Sequence, residues 1–158
     1  MKMKLSIVVL LTLLAGLGLA LPALAASGDV AVVVNPANNT SSLSMGELRK
    51  IFSGEKRSWA GGTSLKLLVR SGGHERSALL NLLGMSETDY KQYWTSQVYK
   101  GEAQSEPVAL PSNGMQKEAL SVFPGAVALI DAAELKPGMK VLKIDGHLPG
   151  ESNYPLHY

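Results

Sequence analysis

The chain has 158 residues, 15 Lys and Arg against 13 Asp and Glu for a formal net charge of +2, and no cysteine. The absence of cysteine excludes a disulfide framework, thiolate metal ligation and cysteine catalysis. A charge so near zero, with only the pairs Arg49-Lys50 and Lys56-Arg57 clustered, lacks the basic footprint that nucleic-acid binding requires.

The N-terminus has the form of an address. Lys2 and Lys4 precede an apolar run from Leu5 to Leu21, Pro22 breaks it, and Ala23-Leu24-Ala25 supplies a small-x-small cleavage pattern. Residues 1–25 are expected to be a signal peptide, whose removal leaves 133 residues (158 minus 25). The run is near the lower limit for a retained anchor, but its Pro-Ala-x-Ala ending favours cleavage, and no stable membrane insertion is expected afterwards. Without Lys2 and Lys4 the mature chain has 13 basic and 13 acidic residues. It is large enough for one domain around one core, and a periplasmic location is expected.

Val30 to Val34 is a continuous β-branched and apolar run suited to a strand buried on both faces, and Asn35 to Ser42 is a loop. Ser44-Met45-Gly46-Glu47 matches a capping box, after which Leu48, Ile51 and Phe52 share a helical face until Gly54. A strand at Leu65 to Val69 follows, then a helix carrying Leu79, Leu80, Leu82 and Leu83 that Gly84 stops. Ser86 to Asp89 opens another helix with Tyr90, Tyr93, Trp94 and Val98 at helical spacing, better suited to core than to a ligand platform. Pro107 to Leu110 is a short strand. Ser112 to Val122 is a helix with Met115, Leu120 and Val122 expected inward, and Gly125 to Ile130 is a buried strand. Met139 to Ile144 completes the set, with Lys140 and Lys143 expected outward, and 147–158 is expected to be a polar tail. Strands alternating with helices predict an α/β fold, a three-layer α/β/α domain over residues 26–146.

The most informative stretch is Leu65 to Gly84. An apolar strand runs into Arg70-Ser71-Gly72-Gly73 and directly into a helix, so unpaired N–H groups and the positive end of the helix dipole face the turn. A phosphate, sulfate or carboxylate suits such a place, and Arg70 adds a fork of donors. The plain alternative is an ordinary strand-to-helix connection with a solvated arginine.

Five motifs in order carry a resemblance. They are Val32 to Pro36; Leu43 to Leu48 with Ile51 to Gly54 and Trp59; Val69 to Gly73; Phe123 to Ala126; and Lys140 to Gly146. Together they resemble the phosphate-binding proteins of ABC importers, type 2 periplasmic binding proteins, over nearly the whole mature chain. The resemblance is to one of that family's two lobes, and implies a binding role without catalysis or cofactor. Asn153 to Leu156 resembles the point where the family's chain crosses back into its first lobe.

The family's anion contacts would map to Arg70, Ser71, Gly72, Gly73, His74, Arg76 and Ser77. The family pattern is Arg, Asp two residues on, then Ser-Gly-Thr at the helix start. Here Gly72 stands in the Asp position, and His74, Glu75 and Arg76 stand for Ser-Gly-Thr. With Arg76 and Ser77 facing the turn, Glu75 is expected to be a solvated first-turn residue.

Enzymatic readings find little support. His74-Glu75 begins like a zinc-protease helix, but Ala78 replaces the second histidine, and neither a Gly-x-Ser-x-Gly elbow nor a phosphate loop occurs. Two expectations remain. One is a periplasmic lobe that binds phosphate or a similar oxyanion weakly, with a second subunit or a protein partner covering its open face. The other is an interaction module that kept the lobe and lost anion transport.

Overall fold

The computed structural model describes residues 28–158, so the expected signal peptide lies outside the described residues. Strand β1 (Val30–Val34) is buried along its whole length, as an unbroken apolar run requires. After the two-residue β2 (Ser42–Leu43), helix α1 (Met45–Phe52) starts at the expected capping box. The Ser44 hydroxyl accepts from Glu47 N, and Ser44 N and the Ser44 hydroxyl both donate to the Glu47 carboxylate, which holds that carboxyl below its usual range. Then come β3 (Lys66–Arg70), α2 (Gly73–Leu83), α3 (Glu87–Tyr99), β4 (Val108–Leu110), α4 (Asn113–Val122) and β5 (Ala126–Asp131). A 3-10 turn at Ala132–Glu134 precedes β6 (Lys140–Val141) and β7 (Lys143–Ile144).

The main sheet has the order β4-β3-β5-β1-β6, with β3 parallel to β4 and β5 and with β1 antiparallel to β5 and β6. Side-chain alternation splits the core in two. Val30, Val32, Val34, Val69, Val127 and Leu129 pack with α1, α2 and α3 on one face. Ala31, Val33, Leu68, Ala128 and Ile130 pack with Leu120 of α4 on the other. These are the three layers the sequence predicts.

Three details depart from expectation. In α4, Met115 and Val122 are exposed, Val122 by 62%, while Gln116 and Leu120 face inward. Residues four apart share a face, and 116 and 120 set the buried one. The last strand breaks at the fully buried Leu142: β6 joins the main sheet, whereas β7 leaves it to pair in parallel with β2. Lys140 is not free to solvent, because its amine donates to the Asn38 carbonyl. Lys143 is exposed as expected.

The segment 147–158 is not a polar tail. It runs as a strap along the start of β1, where Val30 N donates to Leu156 O and Tyr158 N donates to Gly28 O at 3.0 and 3.1 Å. Tyr154 and Leu156 are buried in the first core. Asp29, itself buried, accepts from Gly150 N and pairs with His157 at 2.8 Å.

Helices α2 and α3 are joined by Arg76, which donates through Nε and Nη2 to both Glu87 carboxylate oxygens at 2.8 and 2.7 Å and lies over the Tyr90 ring. The hydrogen bond and charge of Arg76 hold the Glu87 carboxyl below its usual range. A depressed carboxyl contributes stability above its unfolded-state value, and that contribution is lost as pH falls through the folded one. Glu87→Gln is therefore expected to cost about 1 kcal/mol at pH 7 and progressively less toward pH 3, measured by urea denaturation.

Candidate functional site

The three parallel strands β3, β4 and β5 end on one edge of the sheet, and this is where the predicted site residues lie. The helices that follow β3 and β4 leave on opposite faces, α2 into the first core and α4 into the second. Such a divergence opens a crevice between carboxyl ends of strands, flanked here by two helix N-termini.

The sheet itself also opens at this edge. The β3–β5 ladder runs only from Lys66 with Ala126 to Leu68 with Ala128. Beyond it Val69 and Arg70 follow β4, and Leu129 to Asp131 follow β1. The backbone groups left without a strand partner are met by two side chains, Gln116, which the sequence does not single out, and Glu75, which the sequence assigns to solvent. From α4, Gln116 Nε2 donates to Leu68 O and Leu129 O at 3.0 and 3.3 Å. From α2, Glu75 Oε1 accepts from Asp131 N at 3.2 Å. Buried polar groups are tolerated where they complete a ladder in this way.

Glu75 is accordingly 4% exposed, not solvated as expected. Its other oxygen lies 3.2 Å from where a Cβ on Gly73 would stand, and Arg70 Nη2 lies 3.8 Å from the same point. With a φ of 79°, Gly73 occupies the left-handed region, and a side chain there would be both strained and crowded.

Arg70 sits where the sequence places it, at the end of β3. By alternation it shares the face of Leu68, the α4 side. Its Nε and Nη1 are sequestered from solvent with no hydrogen-bond partner among the described residues, and Asn113 Oδ1 at the start of α4 is likewise unpaired. Gly72 is the N-cap of α2 and provides no side-chain cap, so the first-turn amides are not met by one. The donors among these groups, the Arg70 N–H groups and the helix-start amides, fit an anion.

The other predicted residues divide. Ser71 is committed to β4, its N–H donating to Leu110 O at 3.1 Å and its hydroxyl to the same oxygen at 3.5 Å. The Ser77 hydroxyl donates back to Gly73 O, within the helix. Arg76 faces α3 and is occupied by Glu87, away from the turn. His74 remains at the helix start, its Nδ1 2.7 Å from Asp131 Oδ2 and its ring stacked on Tyr158 at 3.7 Å. The structure thus gathers Arg70, Gly72, Gly73 and His74, with Glu75 and Asp131 added. Glu75 has one sequence signal, its place beside Arg76 at the start of a helix; Asn113 has its place three residues after a strand end.

A cleft of about 510 Å³ lies elsewhere, at the amino ends of β3 and β4, and Arg57 and Glu102 on its wall are already paired at 2.9 Å. Among the described residues no group of three metal-ligating side chains converges, and no helix is long and apolar enough to cross a membrane.

No family model matches the sequence, and no curated protein matches it either. Among solved structures the chain is similar to a phosphate ABC transporter substrate-binding protein with bound phosphate from Clostridium perfringens, at TM-score 0.64 and 14% identity over 82% of this chain and 52% of that one. It is also similar to an ABC-type phosphate transport receptor from Vibrio cholerae, at TM-score 0.61 and 19% identity over 77% of this chain and 48% of that one. PstS from Borrelia burgdorferi matches at TM-score 0.55 and 18% identity, over 77% and 49%. The chain therefore spans about half the length of each. At these identities the likeness is one of fold: a mixed α/β domain with a parallel-rich sheet between helices, matching one lobe of a binding-protein fold.

Proposed function

We propose that this chain is an exported, periplasmic oxyanion-binding lobe of the type that serves ABC importers, taking phosphate or a similar anion at Arg70, Gly72, Gly73 and His74 without catalysis. The observation that carries this is the Arg70 guanidinium, with Nε and Nη1 sequestered and unpaired beside a helix that begins without a side-chain cap. The similar lobe in a structure with bound phosphate supports it at the level of fold.

Charge-assisted hydrogen bonds contribute about 1.5 to 3 kcal/mol each, and an open half-site offers two or three of them before the anion's immobilisation is counted. The net of about 4 to 5 kcal/mol is a millimolar to sub-millimolar Kd. Tighter capture requires a second wall, from another subunit or a protein partner, to exclude water and add donors.

Calorimetry with phosphate tests the reading. Wild type is expected to bind in the millimolar range or below, and Arg70→Ala to lose binding at least tenfold while keeping its circular dichroism spectrum. A second reading, an interaction module that lost anion transport, is favoured by one observation: the Glu75 carboxylate beside the same turn opposes an anion. No heat at 10 mM phosphate would establish that reading over the first.

A further inference from the structure

We propose that anion binding at this crevice is proton-linked through His74, with Asp131 and Tyr158 as its positioning residues. This rests on the oxyanion reading above and adds to it the condition under which the site accepts an anion.

The imidazole is held by an edge contact and a face contact. Its Nδ1 meets Asp131 Oδ2 at 2.7 Å, and an ionised carboxylate only accepts, so the hydrogen lies on Nδ1. Asp131 is itself fixed, its N–H donating to Glu75 and its Oδ1 accepting from Ala133 N at 2.9 Å. The Tyr158 ring lies parallel to the imidazole within 2°, and the strap that carries Tyr158 is anchored by its N–H on Gly28 O and by His157 on Asp29. Nε2 is left as an acceptor in the neutral ring and becomes a donor when the ring takes a proton.

The charges around the pair make that proton decisive. Arg70 from β3 supplies one positive charge, while Glu75 from α2 and Asp131 from β5 supply two negative ones. Asp29 before β1 is matched by His157 of the strap when that ring is protonated. Arg76 is matched by Glu87, and Glu134 in the turn after β5 pairs with Lys117 of α4. Arg70, Glu75 and Asp131 together carry a net charge of about −1 with His74 neutral and repel an anion; a proton on His74 brings that sum near zero, and the helix-start amides and Arg70 prevail. Occupancy and protonation of His74 therefore favour each other.

Sulfate is the probe, because its own charge is constant across the imidazole range. Wild type is expected to bind sulfate about tenfold more tightly at pH 5.5 than at pH 8. Calorimetry in two buffers of different ionisation enthalpy is expected to show proton uptake on binding at intermediate pH. His74→Gln should flatten the pH profile, and Asp131→Asn, which keeps an acceptor for Ala133 N, should reduce the gain at low pH. A pH slope that persists in His74→Gln overturns the proton linkage and leaves the oxyanion reading standing. Absence of heat from wild type with sulfate and phosphate at every pH overturns both.

Discussion

Gly125→Ala is expected to cost about 3 kcal/mol or more and to lower the melting temperature by about 10 °C. A Cβ built on Gly125 would stand 1.8 Å from Ser64 O and 2.9 Å from Ser64 C, both backbone atoms that no rotamer change can move aside. The contact is tight because two donors draw the chains together: Lys66 N and the Trp59 indole N–H both donate to Gly125 O, at 2.9 and 3.1 Å. A methyl group would force the start of β3 away from β5 and weaken both bonds, at the place where the three-residue ladder between those strands begins. Gly61→Ala, where nothing lies within 4 Å and the backbone is not left-handed, is the control and is expected to change stability by less than about 0.5 kcal/mol. Thermal unfolding of the two variants side by side decides the matter: if Gly125→Ala melts within 2 °C of the control, the β3–β5 junction is looser than this geometry states.

The elements themselves were legible because their signals are local. A five-residue apolar run rich in valine makes β1, serine capping boxes open α1 and α3, and Gly84 in the left-handed region closes α2. Arg70 was legible for the same reason, as the last residue of an apolar strand before two glycines. Glu75 and Gln116 were not, because they are buried by an event that has no local signature: β3 and β5 part after three ladder pairs, and the freed backbone groups need polar partners. Amphipathic patterning assigns a glutamate in a first turn and a glutamine in a helix to solvent, and only the sheet topology overrules it. On α4 the same pattern places Leu120 inward correctly but favours Met115 and Val122 over Gln116. Arg76 shows the reverse. Its place in the resemblance pointed to the anion, but its partner Glu87 lies eleven residues on, across the turn between α2 and α3.

Tyr154→Ala is expected to destabilise the protein by about 3 to 5 kcal/mol, the cost of removing a large buried ring, and to do so although the residue lies only four positions from the last one. The ring is 2% exposed and packs in the first core, and its hydroxyl donates to Val30 O at 2.6 Å; burial pushes that hydroxyl's pKa well above the ordinary tyrosine value. Tyr154→Phe keeps the ring and removes one hydrogen bond, so about 1 to 2 kcal/mol is expected, mostly from the Val30 carbonyl left unpaired. Urea denaturation gives both numbers. A loss below 1 kcal/mol in Tyr154→Ala would show that the strap is dispensable and that the core closes without it. The two variants also separate stability from site geometry, because the strap carries the Tyr158 ring that stacks on His74. Tyr154→Phe leaves the Leu156 carbonyl on Val30 N and should keep the stacked pair, whereas Tyr154→Ala releases the strap and should shift the His74 ring resonances before the domain as a whole unfolds.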